Sequence, residues 1–162
     1  MTADSAGEVH GAAFTIRLPG AVSADAQPRE VPAARSAALP RRVLLVEDNA
    51  DISDLIQMQL RMWGHEVSIA ADGPSGLEAA LGQRPDIAFV DVGLPGMDGY
   101  EVARQIRSAE GGDRMRLVAM TGYARPEDRD RALAAGFDAH LVKPVDPRQL
   151  QAALDSQVLT RG

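Results

Sequence analysis

From Arg42 onward, five short apolar runs alternate with five stretches of helical periodicity, and this alternation limits the fold more than any other feature. The runs are 43–46, 66–70, 87–90, 117–120 and 139–142. Each is four or five residues long and bounded by turn residues, which reads as strands, several of them buried on both faces. Successive parallel strands need a crossover, and a helix is the usual one. The pattern therefore predicts an α/β fold, with a doubly wound five-stranded parallel sheet and five helices on its two faces.

Local signals set the helix ends. In the first helix, 50–63, Ile52, Leu55, Ile56, Leu60 and Trp63 are expected on one face, with Gly64 as the stop. Asp72-Gly73-Pro74 opens the second, which runs to about residue 83, with proline near its first position. Asp98 and Glu101 fit a capping box that opens the third, to about 108. Pro126 begins the fourth, which stops at Gly136, and Asp146-Pro147 caps the fifth, with Leu150 and Leu154 inward.

Residues 86–101 read Asp-Ile-Ala-Phe-Val-Asp-Val-Gly-Leu-Pro-Gly-Met-Asp-Gly-Tyr-Glu. Taken alone, Asp91 is an ordinary turn residue after a strand. Register changes that reading. Glu47 and Asp48 end the first strand, Asp91 the third, Thr121 the fourth and Lys143 the fifth. In a parallel sheet these C-terminal ends lie along one edge, where ligands bind.

Three carboxylates in one place repel each other, increasingly so as water is excluded. An all-oxygen site of this kind suits Mg2+. The cation would draw in a phosphoryl group, which a nearby carboxylate can attack to form an acyl phosphate. A lysine and a hydroxyl would then bind the phosphoryl oxygens. Of seventeen basic residues, sixteen are arginine and only Lys143 is lysine. That choice suits a site needing a compact ammonium rather than a planar fork.

Composition excludes several classes. A net charge of −6 and a pI near 5.0 argue against a nucleic-acid surface. There are no cysteines, which removes disulfides and thiolate metal sites. His10, His65 and His140 show no zinc spacing. No apolar run is long enough for a membrane span, and no signal peptide opens the chain, so a cytoplasmic protein without direct membrane contact is expected.

Four stretches, Val43-Leu-Leu-Val-Glu-Asp-Asn49, Asp91-Val-Gly-Leu-Pro-Gly-Met-Asp-Gly99, Met120-Thr-Gly122 and Lys143-Pro144, together resemble the response-regulator receiver domain of two-component signalling. The resemblance implies a flavodoxin-like fold with strand order 2-1-3-4-5. It implies Asp91 as phosphoacceptor, and Mg2+ held by Glu47, Asp48, Asp91 and the backbone carbonyl of Gly93. Thr121 and Lys143 would bind the phosphoryl group, and Lys143–Pro144 would be a cis bond. His140 stands where the family often has a Tyr or Phe switch residue, and a histidine there could make the switch pH-dependent. Gly93 and Tyr123 occupy positions that influence phosphate lifetime in the family.

Residues 1–40 are rich in Ala, Pro and Ser and read as a largely disordered tail and linker. Within them, 11–19 (Gly-Ala-Ala-Phe-Thr-Ile-Arg-Leu-Pro) alternates like a strand, with no evident partner nearby. It resembles the last strand of the ATP-binding domain of sensor histidine kinases. The expected organisation is this tail, a receiver domain over 41–158 and a short tail over 159–162. The expected origin is the C-terminal receiver of a hybrid histidine kinase, whose parent could be membrane-anchored, with a stand-alone response regulator as the alternative.

The expected function is to accept a phosphoryl group from a histidine kinase or histidine phosphotransfer protein and switch a surface for a downstream protein partner. No nucleic acid and no conventional multiple-turnover enzyme are expected. Phosphohydrolases of the haloacid dehalogenase type are a rival, but they carry Asp-x-Asp at the end of the first strand, where this chain has Glu47-Asp48-Asn49. A pseudo-receiver would lack at least one site residue, and none is missing.

Overall fold

The computed structural model describes residues 2–5, 12–15, 39–122 and 125–156. The chain divides into two compact units, Met1–Ser36 and Ala37–Gly162. In the first, strands Thr2–Ser5 and Ala12–Thr15 pair antiparallel, with Thr2 opposite Thr15 and Ser5 opposite Ala12. The apolar run at 12–15 therefore has a partner that the sequence pattern did not reveal. Backbone hydrogen bonds make such a pair, and Thr2–Ser5 needs no apolar alternation to join it. The remainder of the 11–19 motif, most of the linker, Tyr123 and the tail beyond 156 lie outside the described residues.

The second unit alternates β1 (Arg42–Val46), α1 (Ala50–Met62), β2 (Glu66–Ala70), α2 (Gly73–Gln83), β3 (Ile87–Asp91), α3 (Gly99–Ser108), β4 (Arg116–Thr121), α4 (Pro126–Ala135), β5 (Ala139–Val142) and α5 (Pro147–Asp155). All five strands are parallel, in the order β2-β1-β3-β4-β5. This is the doubly wound, flavodoxin-like sheet expected from the sequence.

Side chains alternate across each strand and build a core on each face. Val43, Leu45, Phe89, Val118 and Met120 face one way and meet Ile56 and Leu60 of α1 and Leu150 and Leu154 of α5. Leu44, Val46, Ala88, Val90, Leu117 and Ala119 face the other and meet Val102 and Ile106 of α3 and Phe137. The central strand β3 is buried along its whole length, which explains its unbroken apolar run. Close packing there demands glycine at Gly76, where a β-carbon would stand 2.7 Å from Val46 Cγ1.

Two local expectations are corrected. Leu55, expected on the inner face of α1, is 67% exposed, as the buried stripe is Ser53, Ile56 and Leu60 flanked by Ile52. The helix turns 100° per residue, so Leu55 lies a full step off the Ile52–Ile56 line. The capping box at α3 is half formed. Glu101 N–H donates to Asp98 Oδ1 at 2.8 Å, whereas the Glu101 carboxylate turns along the helix and accepts from Arg104 and Gln105. Charge-assisted bonds to a guanidinium compete well with the return bond to a backbone amide.

Arg107 fastens the end of the fold remote from the strand C-termini. Its Nε donates to Gly136 O at 2.8 Å, its NH1 to Met115 O at 2.7 Å and to Gly112 O, and its NH2 to Asp138 Oδ2 at 2.7 Å. Asp138 Oδ2 also accepts from Leu117 N–H. One side chain thus links α3, the loop before β4, the C-cap of α4 and the approach to β5.

Candidate functional site

Strand register assembles the site. Val46 lies opposite Val90, so Glu47 and Asp91 are neighbours just beyond that pair. Asp91 lies opposite Met120, and Thr121 opposite Val142, which places Thr121 and Lys143 on the same rim. The cross-strand hydrogen bonds persist past the strands, from Val92 N–H to Met120 O and from Lys143 N–H to Thr121 O.

Glu47, Asp48 and Asp91 each offer a carboxylate oxygen, and these oxygens lie within 4.8 Å of one another. Glu47 and Asp91 are buried and Asp48 is exposed. Lys143 Nζ stands 2.6 Å from Glu47 Oε2 and 2.8 Å from Asp91 Oδ2. Both contacts are charge-assisted, so Lys143 bridges the two buried carboxylates. The other oxygen of Asp91, Oδ1, accepts from Gly93 N–H at 3.0 Å.

The electrostatics follow from burial and crowding. Burial pushes the Glu47 carboxyl above its ordinary value, and the Asp91 charge adds to the rise, against the pull of Lys143 and of Asn49 N–H. For Lys143, burial alone would lower the ammonium's pKa. The hydrogen bonds and charges of Asp91 and Glu47 together outweigh it and carry the pKa above its ordinary value. Lys143 stays protonated, yet it offsets only one of three negative charges. An oxygen-only donor set with surplus negative charge fits a hard divalent cation. Glu47, Asp48 and Asp91 are the residues able to hold one.

Thr121 is buried at the end of β4. His140 is half-buried, sits opposite Ala119 and lines a shallow groove with Arg116, Gln149 and Ala152, away from the acidic cluster. The Lys143–Pro144 peptide is cis. Two residues that sequence reasoning did not assign to the site also shape it. Asn49 is the N-cap of α1, and its side chain accepts from Asp51 and Ile52 N–H. Gly99 lets the start of α3 press on the end of β3, because a β-carbon there would collide with Asp91 O and come 2.8 Å from Val92 Cα. Asn after an acidic pair at a helix start is a readable capping signal, whereas the Gly99 contact is visible only in three dimensions.

Fold and rim together define a doubly wound α/β domain with an acidic site at its strand ends. Within that class the chain belongs to the response regulator receiver domain family, whose model matches residues 43–155. The chain is 37% identical over 108 residues to an uncharacterized 14.6 kDa protein of Leptolyngbya boryana, covering 67% of this chain and 82% of that one. It is 41% identical over 122 residues to the transcriptional regulatory protein AfsQ1 of Streptomyces coelicolor, covering 74% and 52%. The chain spans about half the length of the curated transcriptional regulators it matches.

Among solved structures it resembles the receiver domain of sensor histidine kinase PA1611 of Pseudomonas aeruginosa, described with a magnesium ion in its active-site cleft. Identity is 37%, TM-score 0.68, and coverage 74% and 98%. It also resembles the receiver domain of Ssk1 of Saccharomyces cerevisiae, solved with the histidine phosphotransfer protein Ypd1, at 26% identity, TM-score 0.68, and coverage 71% and 86%. Among the described residues no helix is long and apolar enough to cross a membrane.

Proposed function

We propose that this chain is a phosphoacceptor receiver in a two-component phosphorelay, with Asp91 as the residue modified. The observation that carries the reading is the meeting of three carboxylates and the chain's one lysine at the strand ends. A carboxylate oxygen of Asp91 attacks phosphorus of a phosphohistidine on a partner. The P–O bond forms, the P–N bond breaks, and the imidazole leaves with the electron pair and takes a proton from water. Glu47, Asp48 and Asp91, with the carbonyl of Gly93, would hold Mg2+, which supplies charge neutralisation for the transferring phosphoryl group. Lys143, already within 2.8 Å of Asp91, binds a phosphoryl oxygen as charge builds up. Thr121 binds another, and its inward movement biases the surface of α4, β5 and α5, where His140 lies. This is a population shift between two states.

The donor is a histidine kinase or histidine phosphotransfer protein, in keeping with the Ypd1 partner of the Ssk1 receiver. The outer face of α1, including Gln57, Met58 and Arg61, is the docking face for its helices. With Leu55, Met58 and Met62 exposed, that face has the apolar stripe an incoming helix pair needs. Output passes to a protein partner, and the acidic domain itself does not bind nucleic acid. The test is incubation with a small phosphodonor and Mg2+, followed by intact mass. Wild type gains one phosphoryl group that alkali removes, and Asp91→Asn gains none. Equal gains on both, or none on wild type, would overturn the reading.

The 37% identity to the receiver of a sensor histidine kinase and the 11–19 motif favour descent from a hybrid kinase. The match to most of a 14.6 kDa protein favours a stand-alone regulator instead. The reading frame immediately upstream decides between them. A kinase core encoded there supports the hybrid, and an unrelated frame supports the stand-alone form.

A further inference from the structure

The acidic pair of the site sits on a short turn between β1 and α1, and something must hold that turn against the repulsion of its own charges. Glu47 carries a buried carboxylate and Asp48 an exposed one, and only Asn49 separates them from the first helical residue. Asn49 is bonded on three sides. Its side-chain Oδ1 accepts from Asp51 N–H at 3.0 Å and Ile52 N–H at 3.2 Å. Its carbonyl accepts from Ser53 N–H at 2.9 Å. Its own N–H donates to Glu47 Oε1 at 3.4 Å. The opposite oxygen of Glu47 is the one Lys143 approaches.

We infer that Asn49 is a positioning residue for the acidic pair, in addition to capping α1. The two bonds to Oδ1 fix the Asn49 backbone, and the fixed backbone aims its N–H at Glu47. That bond fixes the rotation of the Glu47 carboxylate, with one oxygen held by Asn49 N–H and the other turned toward Lys143. The turn is then formed before any ligand arrives, and the cost of ordering two repelling carboxylates is met during folding rather than during binding. Without the side chain the N–H survives but is no longer aimed.

The inference rests on the proposed cation site, so its test separates the two. Mg2+ binding is measured by titration calorimetry on the full chain for wild type, Asn49→Ala, Asn49→Ser and Asp72→Ala. Asp72 caps α2 in the same manner, bonding Ser75 N–H, and is the control for a cap that matters to stability alone. The expected result is a three- to tenfold loss of Mg2+ affinity in Asn49→Ala, recovery to within twofold in Asn49→Ser, and no change in Asp72→Ala.

A wild type that binds Mg2+ with Asn49→Ala unchanged overturns the positioning role and leaves the phosphoacceptor reading intact. A wild type without Mg2+ binding overturns the cation site. A metal-free measurement tests the Asn49–Glu47 link by itself. The backbone amide resonance at position 49 should shift on Glu47→Gln in an otherwise native chain, and that shift should be smaller when Asn49→Ala is also present. An equal shift in both backgrounds overturns the inference.

Discussion

Lys143 Nζ lies 2.6 Å from Glu47 Oε2, joining the end of β5 to the end of β1 across the two strands between them. The same ammonium reaches Asp91 on β3. Removing it leaves two buried carboxylates facing each other without a counter-charge. Losing one partner of a buried pair costs about 3–5 kcal/mol. With Lys143 partly solvated, Lys143→Ala is expected to lose about 2–3 kcal/mol in metal-free buffer. Urea unfolding measures this, and added Mg2+ should recover part of the loss. An unchanged midpoint would show that the contact contributes nothing.

Gly99 and Gly82 are expected to respond to alanine in opposite directions. A β-carbon at Gly99 meets the Asp91 carbonyl and Val92 backbone, which cannot move without displacing the Asp91 side chain. Gly99→Ala should cost about 1–3 kcal/mol by overpacking and slow phosphorylation by small donors. Gly82 lies within α2 with nothing near its β-carbon position, so Gly82→Ala should stabilise by about 0.5–1 kcal/mol. Thermal unfolding of the two variants checks both signs.

Arg107→Lys keeps the charge but is expected to fail as a replacement. An ammonium cannot reproduce the planar fork that bonds Gly136, Met115, Gly112 and Asp138 together. A loss of about 2–4 kcal/mol is expected from carbonyls left without donors and from the lost guanidinium–carboxylate pair, although Asp138 keeps its bond from Leu117 N–H. Amide exchange should rise at the C-terminal end of α4 before it rises in β1. Uniform protection across the sheet would contradict the clamp.

His65 makes stability fall on the acid side. It is buried beside Arg41, whose backbone N–H donates to His65 Nδ1 at 3.2 Å, which requires the neutral ring. Burial first, then the Arg41 charge, lowers its pKa, against a smaller opposing effect of Asp155. A histidine depressed in the folded state contributes its full stability above the unfolded value of about 6.5 and loses it progressively as pH falls below that. His65→Gln should flatten the stability profile below about pH 6.5. An unchanged slope would exclude His65 as its source.

The apolar stripe of α1 should matter for a protein donor and not for a small one. Met58→Glu adds a charge to the exposed face without touching the core. Phosphotransfer from a histidine phosphotransfer protein is expected to slow about tenfold, as for an interface anchor, with labelling by a small phosphodonor unchanged. Equal effects on both would place the defect at the strand ends instead.

Much of this was legible along the chain, because α/β alternation is written in local periodicity. The apolar runs found all five strands of the domain, and parallel pairing alone placed Glu47, Asp48, Asp91, Thr121 and Lys143 on one rim. Those statements need only the two-residue repeat of a strand and the single direction of a parallel sheet. The strand order came through resemblance to a family, because local periodicity does not say which strands are neighbours.

What tertiary structure decided were matters of reach and competition. Leu55 fits an apolar face by spacing, yet the sheet is met by Ile56 and Leu60, and Leu55 is left to solvent. Glu101 turned to the Arg104 guanidinium and the Gln105 side chain rather than to the backbone N–H of the cap. The pairing of Thr2–Ser5 with Ala12–Thr15 rests on backbone bonds that carry no side-chain pattern. Lys143 could be placed on the rim from sequence, but its contact with Glu47 depends on twist and side-chain length across two strands. Sequence determined which groups share an edge, and packing determined which of them touch, because direction is a local property of the backbone and distance is a property of the whole sheet.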